Sequence, residues 1–354
     1  MPLIHWTERP VTKTSFLAVF LAAVFLVAGN VAPFQTVARA DESSGDTTAG
    51  KAGSRTFQLD YGFEVDGLHE GDEVKMWLPI PQSDRHQQIE ILSRDLPGVG
   101  SESREPKYGN KMIYRALKVG DKSSLSAKIR YQVQRREVTA ESPTEEQDLL
   151  SEIEERLFLS PNAMVPIADL PIKWLIASDK FSVARQIYDR VDEHVRYDKS
   201  EPGYGNGDVL WVCDSRFGNC TDFHSLFIAM ARASKIPARF EIGFPLPTDK
   251  SSGKIGGYHC WASFYDSSRG WFPVDISEAD KHPELKEYFF GNLSPDRIRF
   301  TKGRDIDLVP KQSSPPLNYF VYPHVEINGK LADQKQVSLQ FAFQNVAPNA
   351  DSNE

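Results

Sequence analysis

The chain has 354 residues, 40% of them hydrophobic, with 41 Lys and Arg against 49 Asp and Glu, for a formal net charge of −8 at pH 7. An acidic chain without a clustered basic face is a poor partner for nucleic acid or an anionic membrane surface. Three cysteines are too few for a disulfide-built scaffold, and the length is enough for two domains.

Residues 1–40 read as a signal peptide. Arg9 and Lys13 precede an uninterrupted apolar run from Phe16 to Ala28, and Ala38-Arg39-Ala40 puts small residues at an A-x-A cleavage site. The apolar run is shorter than a spanning helix needs, and no other stretch approaches that length. The expectation is an exported chain, periplasmic or secreted, with no membrane association once the signal is cleaved. Residues 41–54 are small, polar and Gly-rich, a disordered leader.

From Arg55 the pattern turns to period two: Phe57, Leu59, Tyr61, Phe63 and Val65 alternate with mostly polar neighbours, and Val74, Met76 and Leu78 repeat the pattern. Pro79 and Pro81 lack the donor a ladder needs, which places the end of that strand near Leu78 or the strand at an edge. With further strand-like runs at 112–117 and 125–137, residues 55–140 are expected to form a small antiparallel, sandwich-like β-domain. Residues 141–179 read as an acidic, Pro-punctuated connector in which Leu149, Leu150, Ile153 and Leu157 suit a short helix.

Over 181–196, Val183, Ile187, Val191 and Val195 make a helical stripe, with Ser182 as candidate cap. Residues 201–209 form a Gly-rich loop that lacks the lysine and context of a phosphate loop. Cys220 then heads GNCTDFHSLFIAMARA, where Phe223, Leu226, Phe227 and Met230 mark a buried helix face, ending near Lys235 ahead of Pro237. Strands are expected at 238–244, 258–265 and 271–276. The last two are joined by Asp266-Ser267-Ser268-Arg269-Gly270, a hairpin-type turn.

That hairpin permits a parity argument. If Tyr265 pairs with Trp271, then 263 pairs with 273 and 261 with 275, so odd-numbered residues of both strands share one face. His259 and Asp275 fall on that face within diagonal reach, and Cys260 points to the other. Cys220, at a helix start, gains from backbone N–H groups and the positive end of the helix dipole, which favour thiolate and can stabilise an oxyanion. Gly218 is expected to allow a sharp entry turn. A thiol, an imidazole and a carboxylate so placed can act as nucleophile, general base then acid, and orienting group.

The runs GNCTDFHSLFIAMARASKIPARFEIGF (218–244), YHCWASFY (258–265) and GWFPVDIS (270–277) resemble the core of the transglutaminase-like superfamily. The matching positions are Cys220, Ile236 to Arg239, His259 with Trp261, and Asp275. The resemblance implies a papain-like α+β fold and Cys-His-Asp acyl transfer on a peptide or carboxamide through a thioester, resolved by water or by an amine. It places a transglutaminase-like catalytic domain at 180–310. From the residues themselves, C-terminal strands are expected within 311–345, Val321 to Ile327 pairing with Gln336 to Phe343 on either side of Asn328-Gly329, and a disordered tail at 346–354. Trp211 and Asn219 are candidates for the second oxyanion donor and, with His224 and Trp261, for substrate contact. No metal or other cofactor is expected, and the implied partner is a protein or peptide substrate.

Other readings compete. An inactive peptide-binding module could use the aromatic residues Tyr258, Trp261, Tyr265 and Trp271. A zinc site from Cys213, Cys220, His259 and Cys260 is disfavoured, because adjacent strand residues face opposite ways and no C-x₂-C spacing is present. If Cys220 is free, Cys213 and Cys260 could pair as one disulfide.

Overall fold

The computed structural model describes residues 53–141, 149–170 and 179–346. The expected signal peptide, most of the leader, much of the connector and nearly all of the C-terminal tail lie outside them. The first strands are β1 (Ser54–Asp66), β2 (Glu73–Ile80), β3 (Gln87–Asp95), β4 (Val99–Arg104), β5 (Lys111–Lys118) and β6 (Ser124–Arg136). There follow α1 (Glu152–Leu159), α2 (Lys180–His194), β7 (Arg196–Tyr197), α3 (Val209–Ser215), β8 (Phe217–Gly218) and α4 (Cys220–Ala233). The chain continues through β9 (Ala238–Pro245), β10 (Ser252–Lys254), β11 (His259–Asp266), β12 (Gly270–Val274), α5 (Ile276–Lys281) and β13 (Arg297–Lys302), and ends with β14 (His324–Ile327), β15 (Lys330–Leu331) and β16 (Val337–Asn345). Among the described residues no helix is long and apolar enough to cross a membrane.

The fold is α+β and largely antiparallel. Two five-stranded sheets have the orders β10-β16-β1-β6-β3 and β15-β14-β2-β5-β4, and a four-stranded sheet has the order β12-β11-β9-β13. The alternation read from 57–65 is the inward row of β1: Phe57, Leu59, Tyr61, Phe63 and Val65 are all buried. They share one apolar cluster with Val74, Met76 and Leu78 of β2 and with Phe244 and Phe300 of the four-stranded sheet. Tyr61 alone packs against Phe244, Phe300 and Phe341, so β16 and two sheets meet at one aromatic ring.

The strands expected at 321–327 and 336–343 do not pair with each other; β14 makes its hairpin with β15 instead. β14 joins β2 and β16 joins β1 along its length, so the first and last described strands build the same sheets. β2 runs two residues beyond Leu78 and is not an edge strand. The reason is that β14 covers only Val74–Trp77, leaving Pro79 with a partner on one side, Met112 of β5. β3 and β4 escape period-two detection because their side chains are mostly exposed and polar.

α4 is the central helix, with every residue from Cys220 to Arg232 buried. It packs on β11 and on α2, whose buried positions are Ala184, Ile187, Tyr188 and Val191. Asp179, rather than Ser182, caps α2: its side chain accepts the Ser182 N–H at 2.9 Å. Behind β9, Gly243 faces His259 on one side and Arg299 on the other. A Cβ there would stand 1.8 Å from the carbonyl oxygen of Ile298. Gly243→Ala therefore forces β13 away from β9 and is expected to cost about 1–3 kcal/mol, read as a lowered urea midpoint with little change in slope.

Candidate active site

The start of α4 is held by a reciprocal cap. Asn219 Oδ1 accepts the Thr221 N–H at 2.8 Å, and the Asp222 carboxylate accepts the Asn219 N–H at 2.8 Å. The same carboxylate takes the N–H groups of Gly205 and Gly207 at 2.7 and 2.9 Å, so the Gly-rich loop is pinned beside the helix start. A Cβ at Gly218 would lie 2.5 Å from Asp222; the glycine is needed for space rather than for a left-handed turn. Cys220 is the first helical residue, and its N–H has no acceptor within the helix. The capping bonds are taken by Thr221, Asp222 and Phe223, which leaves the Cys220 N–H next to its own thiol.

The hairpin has the register that parity requires: Tyr265 pairs with Trp271, Ser263 with Pro273 and Ala262 with Val274. Beyond Val274 the strand gives way to α5, whose N-cap is Asp275. His259 Nε2 and Asp275 Oδ2 are 2.8 Å apart. With Nε2–H donated to the carboxylate, Nδ1 is the ring nitrogen left for the thiol, and His259 and Cys220 interact directly through their side chains. Cys220 is 3% exposed and His259 5%, which makes this a dry pair.

Three residues that the sequence did not single out for this role complete the arrangement. Arg297, buried on β13, donates Nη1–H to Asp275 Oδ2 at 2.7 Å, so one carboxylate oxygen serves both imidazole and guanidinium. Cys260, turned by parity toward α4, brings its thiol against Cys220, with its Sγ 3.8 Å from both Thr221 Oγ1 and His224 Nδ1. Tyr258 places its hydroxyl 2.8 Å from Thr221 Oγ1 and 3.1 Å from Asn219 Nδ2. The hairpin parity pointed Cys260 to the face opposite His259; nothing in the spacing announced Arg297.

Charges follow from these contacts. Burial opposes ionisation of Asp275, but the cations of His259 and Arg297 outweigh it and hold the carboxyl far below the usual range. Burial likewise disfavours imidazolium, yet Asp275 and Cys220 push His259 up to about 9. Burial would raise the Cys220 thiol, but hydrogen bonds from Cys260 and His259 bring it well below an ordinary thiol. The neutral partner, Cys260, is pushed well up by burial and by Cys220. A thiolate–imidazolium pair is the state these terms favour.

The other candidates fall out differently. His224 was read as a substrate contact; it has no exposed surface and both nitrogens are engaged. Nδ1–H donates to the Cys220 carbonyl at 2.7 Å and Nε2 accepts the Ile276 N–H at 3.0 Å, with burial pushing it down to about 4. It is a neutral strut between α4 and α5. Trp261 is also buried, its Nε1–H on Glu241 at 2.9 Å and its ring 6.2 Å from that of His259. Trp211 is half-buried, edge-on to Phe217 at 5.2 Å and under Gly203. Asn219 has committed Oδ1 to the cap and one Nδ2–H to Tyr258. All three cysteines are free, so the Cys213–Cys260 bond is not formed.

Among the described residues, His259, Asp275 and Glu278 bring ligand atoms within 4.8 Å of one another. This set suits a metal poorly. The reachable nitrogen of His259 is the one bonded to Asp275, and that carboxylate already carries the Arg297 cation.

A helix-leading thiol packed on an antiparallel sheet, with an imidazole and a carboxylate across one hairpin, defines the papain-like α+β class. Residues 175–276 match the family model described as the Transglutaminase-like superfamily, and this chain carries a transglutaminase-like core. A protein of Haemophilus influenzae, described as uncharacterized, is 27% identical over 300 residues, covering 73% of this chain and 81% of its own. A solved structure described as a "putative cysteine protease" from Cytophaga hutchinsonii is 16% identical with a TM-score of 0.48, over 83% of this chain and 99% of that one. The periplasmic domain of TgpA from Pseudomonas aeruginosa is 13% identical with a TM-score of 0.32, over 67% and 91%.

Removing the Asp275 carboxylate leaves Arg297 buried without its carboxylate and His259 without the group that orients it. Asp275→Ala is expected to cost about 3–5 kcal/mol of stability, measured by urea unfolding. Asp275→Asn keeps the shape and a hydrogen-bond acceptor and is expected to cost less.

Proposed function

We propose that the protein is an exported thiol enzyme of the transglutaminase-like type, acting on peptide or carboxamide bonds. The observation that carries this reading is the 2.8 Å contact of His259 Nε2 with Asp275, with the other imidazole nitrogen left for a thiol at the start of α4. Cys220 thiolate attacks the substrate carbonyl carbon, and the carbonyl oxygen becomes an oxyanion at the Cys220 N–H. The imidazolium of His259 gives its Nδ1 proton to the leaving amine as the C–N bond breaks, leaving a thioester on Cys220. Neutral His259 then takes a proton from water, which attacks the thioester and restores the thiol as the acid leaves. A second amine in place of water would give transamidation; hydrolysis is the reading preferred. Asp275 and Arg297 hold the imidazole in the tautomer these steps need. Export rests on the basic, apolar and A-x-A pattern of residues 1–40.

The test is the alkylation rate of purified protein against pH. A fast component titrating below the ~8.5 of a free cysteine, lost in Cys220→Ala and slowed in His259→Ala, supports the reading. A chain with no unusually reactive thiol is instead an inactive peptide-binding module.

The pair also fixes the shape of the pH dependence. Turnover should rise as Cys220 loses its proton and fall as pH passes about 9, where His259 gives up the proton the leaving group needs. Alkylation, which needs only thiolate, should not fall above 9. Steady-state rates and alkylation rates measured across the same buffers should part there.

A further inference from the structure

On the odd-numbered face of β11, two residues along from His259, the sheet does not end in packed apolar side chains. Trp261 and Ser263 of β11, Trp271 of β12 and Glu241 of β9 line a cavity of about 240 Å³. Its opposite wall comes from the loop before β3 and from the end of β6, where Arg135 continues the inward row of Ile129, Tyr131 and Val133. An arginine at such a position needs a partner, because a buried charge without one is costly. Arg135 is 3% exposed, its Nε is buried with no hydrogen bond, and its guanidinium feels Asp84 and Glu241 only through space.

Both nearby carboxylates are taken elsewhere. Asp84 accepts Arg299 Nη2–H at 2.7 Å. Glu241 accepts Arg299 Nη1–H at 2.8 Å, Trp261 Nε1–H at 2.9 Å and the Ser263 hydroxyl at 2.9 Å, and pairs with Arg239 at 3.0 Å. Lys302 also lines the cavity, with no side-chain hydrogen bond among the described residues. Among the described residues, Arg135 and Lys302 are thus two lining cations without a hydrogen-bonded carboxylate, set beside the Arg239–Glu241–Arg299–Asp84 network. Burial pushes Lys302 down to about 8, helped by Arg239 and Arg299, and pushes Arg135 down to about 10.

We propose that this cavity is a binding site for a small molecule bearing a compact oxyanion, phosphate or carboxylate, which pairs with Arg135 and Lys302 and lies against Trp261 and Trp271. Guanidinium and ammonium groups converging on one space are the donors such a group takes, and the indole walls accept its apolar or planar remainder. The site is separate from the thiol and does not rest on the acyl-transfer reading.

Melting temperature and calorimetric titration of the full chain with inorganic phosphate and with citrate, against chloride at matched ionic strength, test it. A saturable rise in melting temperature is expected with one or both anions; the stronger of the two identifies the headgroup. Arg135→Gln should abolish the response and, by removing an unpaired buried charge, melt no lower than wild type in chloride. Lys302→Met, altering a partly exposed amine, should weaken binding about tenfold, the scale of one charged hydrogen bond, and carries the test if Arg135→Gln does not fold. No saturable response to either anion, or a response unchanged in the variants, overturns the proposal.

Discussion

The buried carboxylate of Asp275 is the constraint around which the rest is arranged. A fully desolvated carboxylate is tolerable only with cationic partners and hydrogen bonds. Here the partners come from two strands, His259 on β11 and Arg297 on β13, and the residue itself caps α5. Its position therefore couples the hairpin, the far edge of the sheet and the helix that follows. Because Asp275 is charged and neutralised on one side by Arg297, the imidazole is held in one orientation without being left as the only counter-ion of a buried anion.

The second constraint is the start of α4, where Asp222 satisfies three backbone donors from two segments. One carboxylate fixes where the Gly-rich loop lies relative to Cys220. His224 ties the same helix to α5 through the Cys220 carbonyl and the Ile276 N–H. The helix and the hairpin are thus joined by polar contacts as well as by packing, at the place where the thiol and imidazole must keep a sub-ångström relationship.

What the sequence makes legible is local and periodic. The α4 and α2 stripes, the inward row of β1 and the hairpin register all follow from spacings of a few residues. So does the meeting of His259 with Asp275, since one opens the first strand of a short hairpin and the other directly follows the second. Arg297 was invisible because its contact with Asp275 depends on β13 returning to β9 after an aperiodic stretch, and no spacing rule encodes that. Cys260 was placed on the face opposite His259 but read as a possible disulfide partner of Cys213, since parity gives direction and not what lies opposite. His224 shares a helix side with Cys220 in the sequence, yet both its ring nitrogens are engaged by backbone groups, the Cys220 carbonyl and the Ile276 N–H, which spacing alone does not show. Arg135 looks like an ordinary charged interruption in a strand until both walls of its cavity are known.

The pairing of β1 with β16 joins Phe57 to Asn345 and Val65 to Val337, so nearly the whole described chain is enclosed between two neighbouring strands. Closing so large a loop is entropically slow, and its reward comes only when the last strand exists. The β1 strand therefore gains its second neighbour only after residues 337–345 have been made. A chain with this connectivity matures late, its first sheet standing open on one side until β16 arrives.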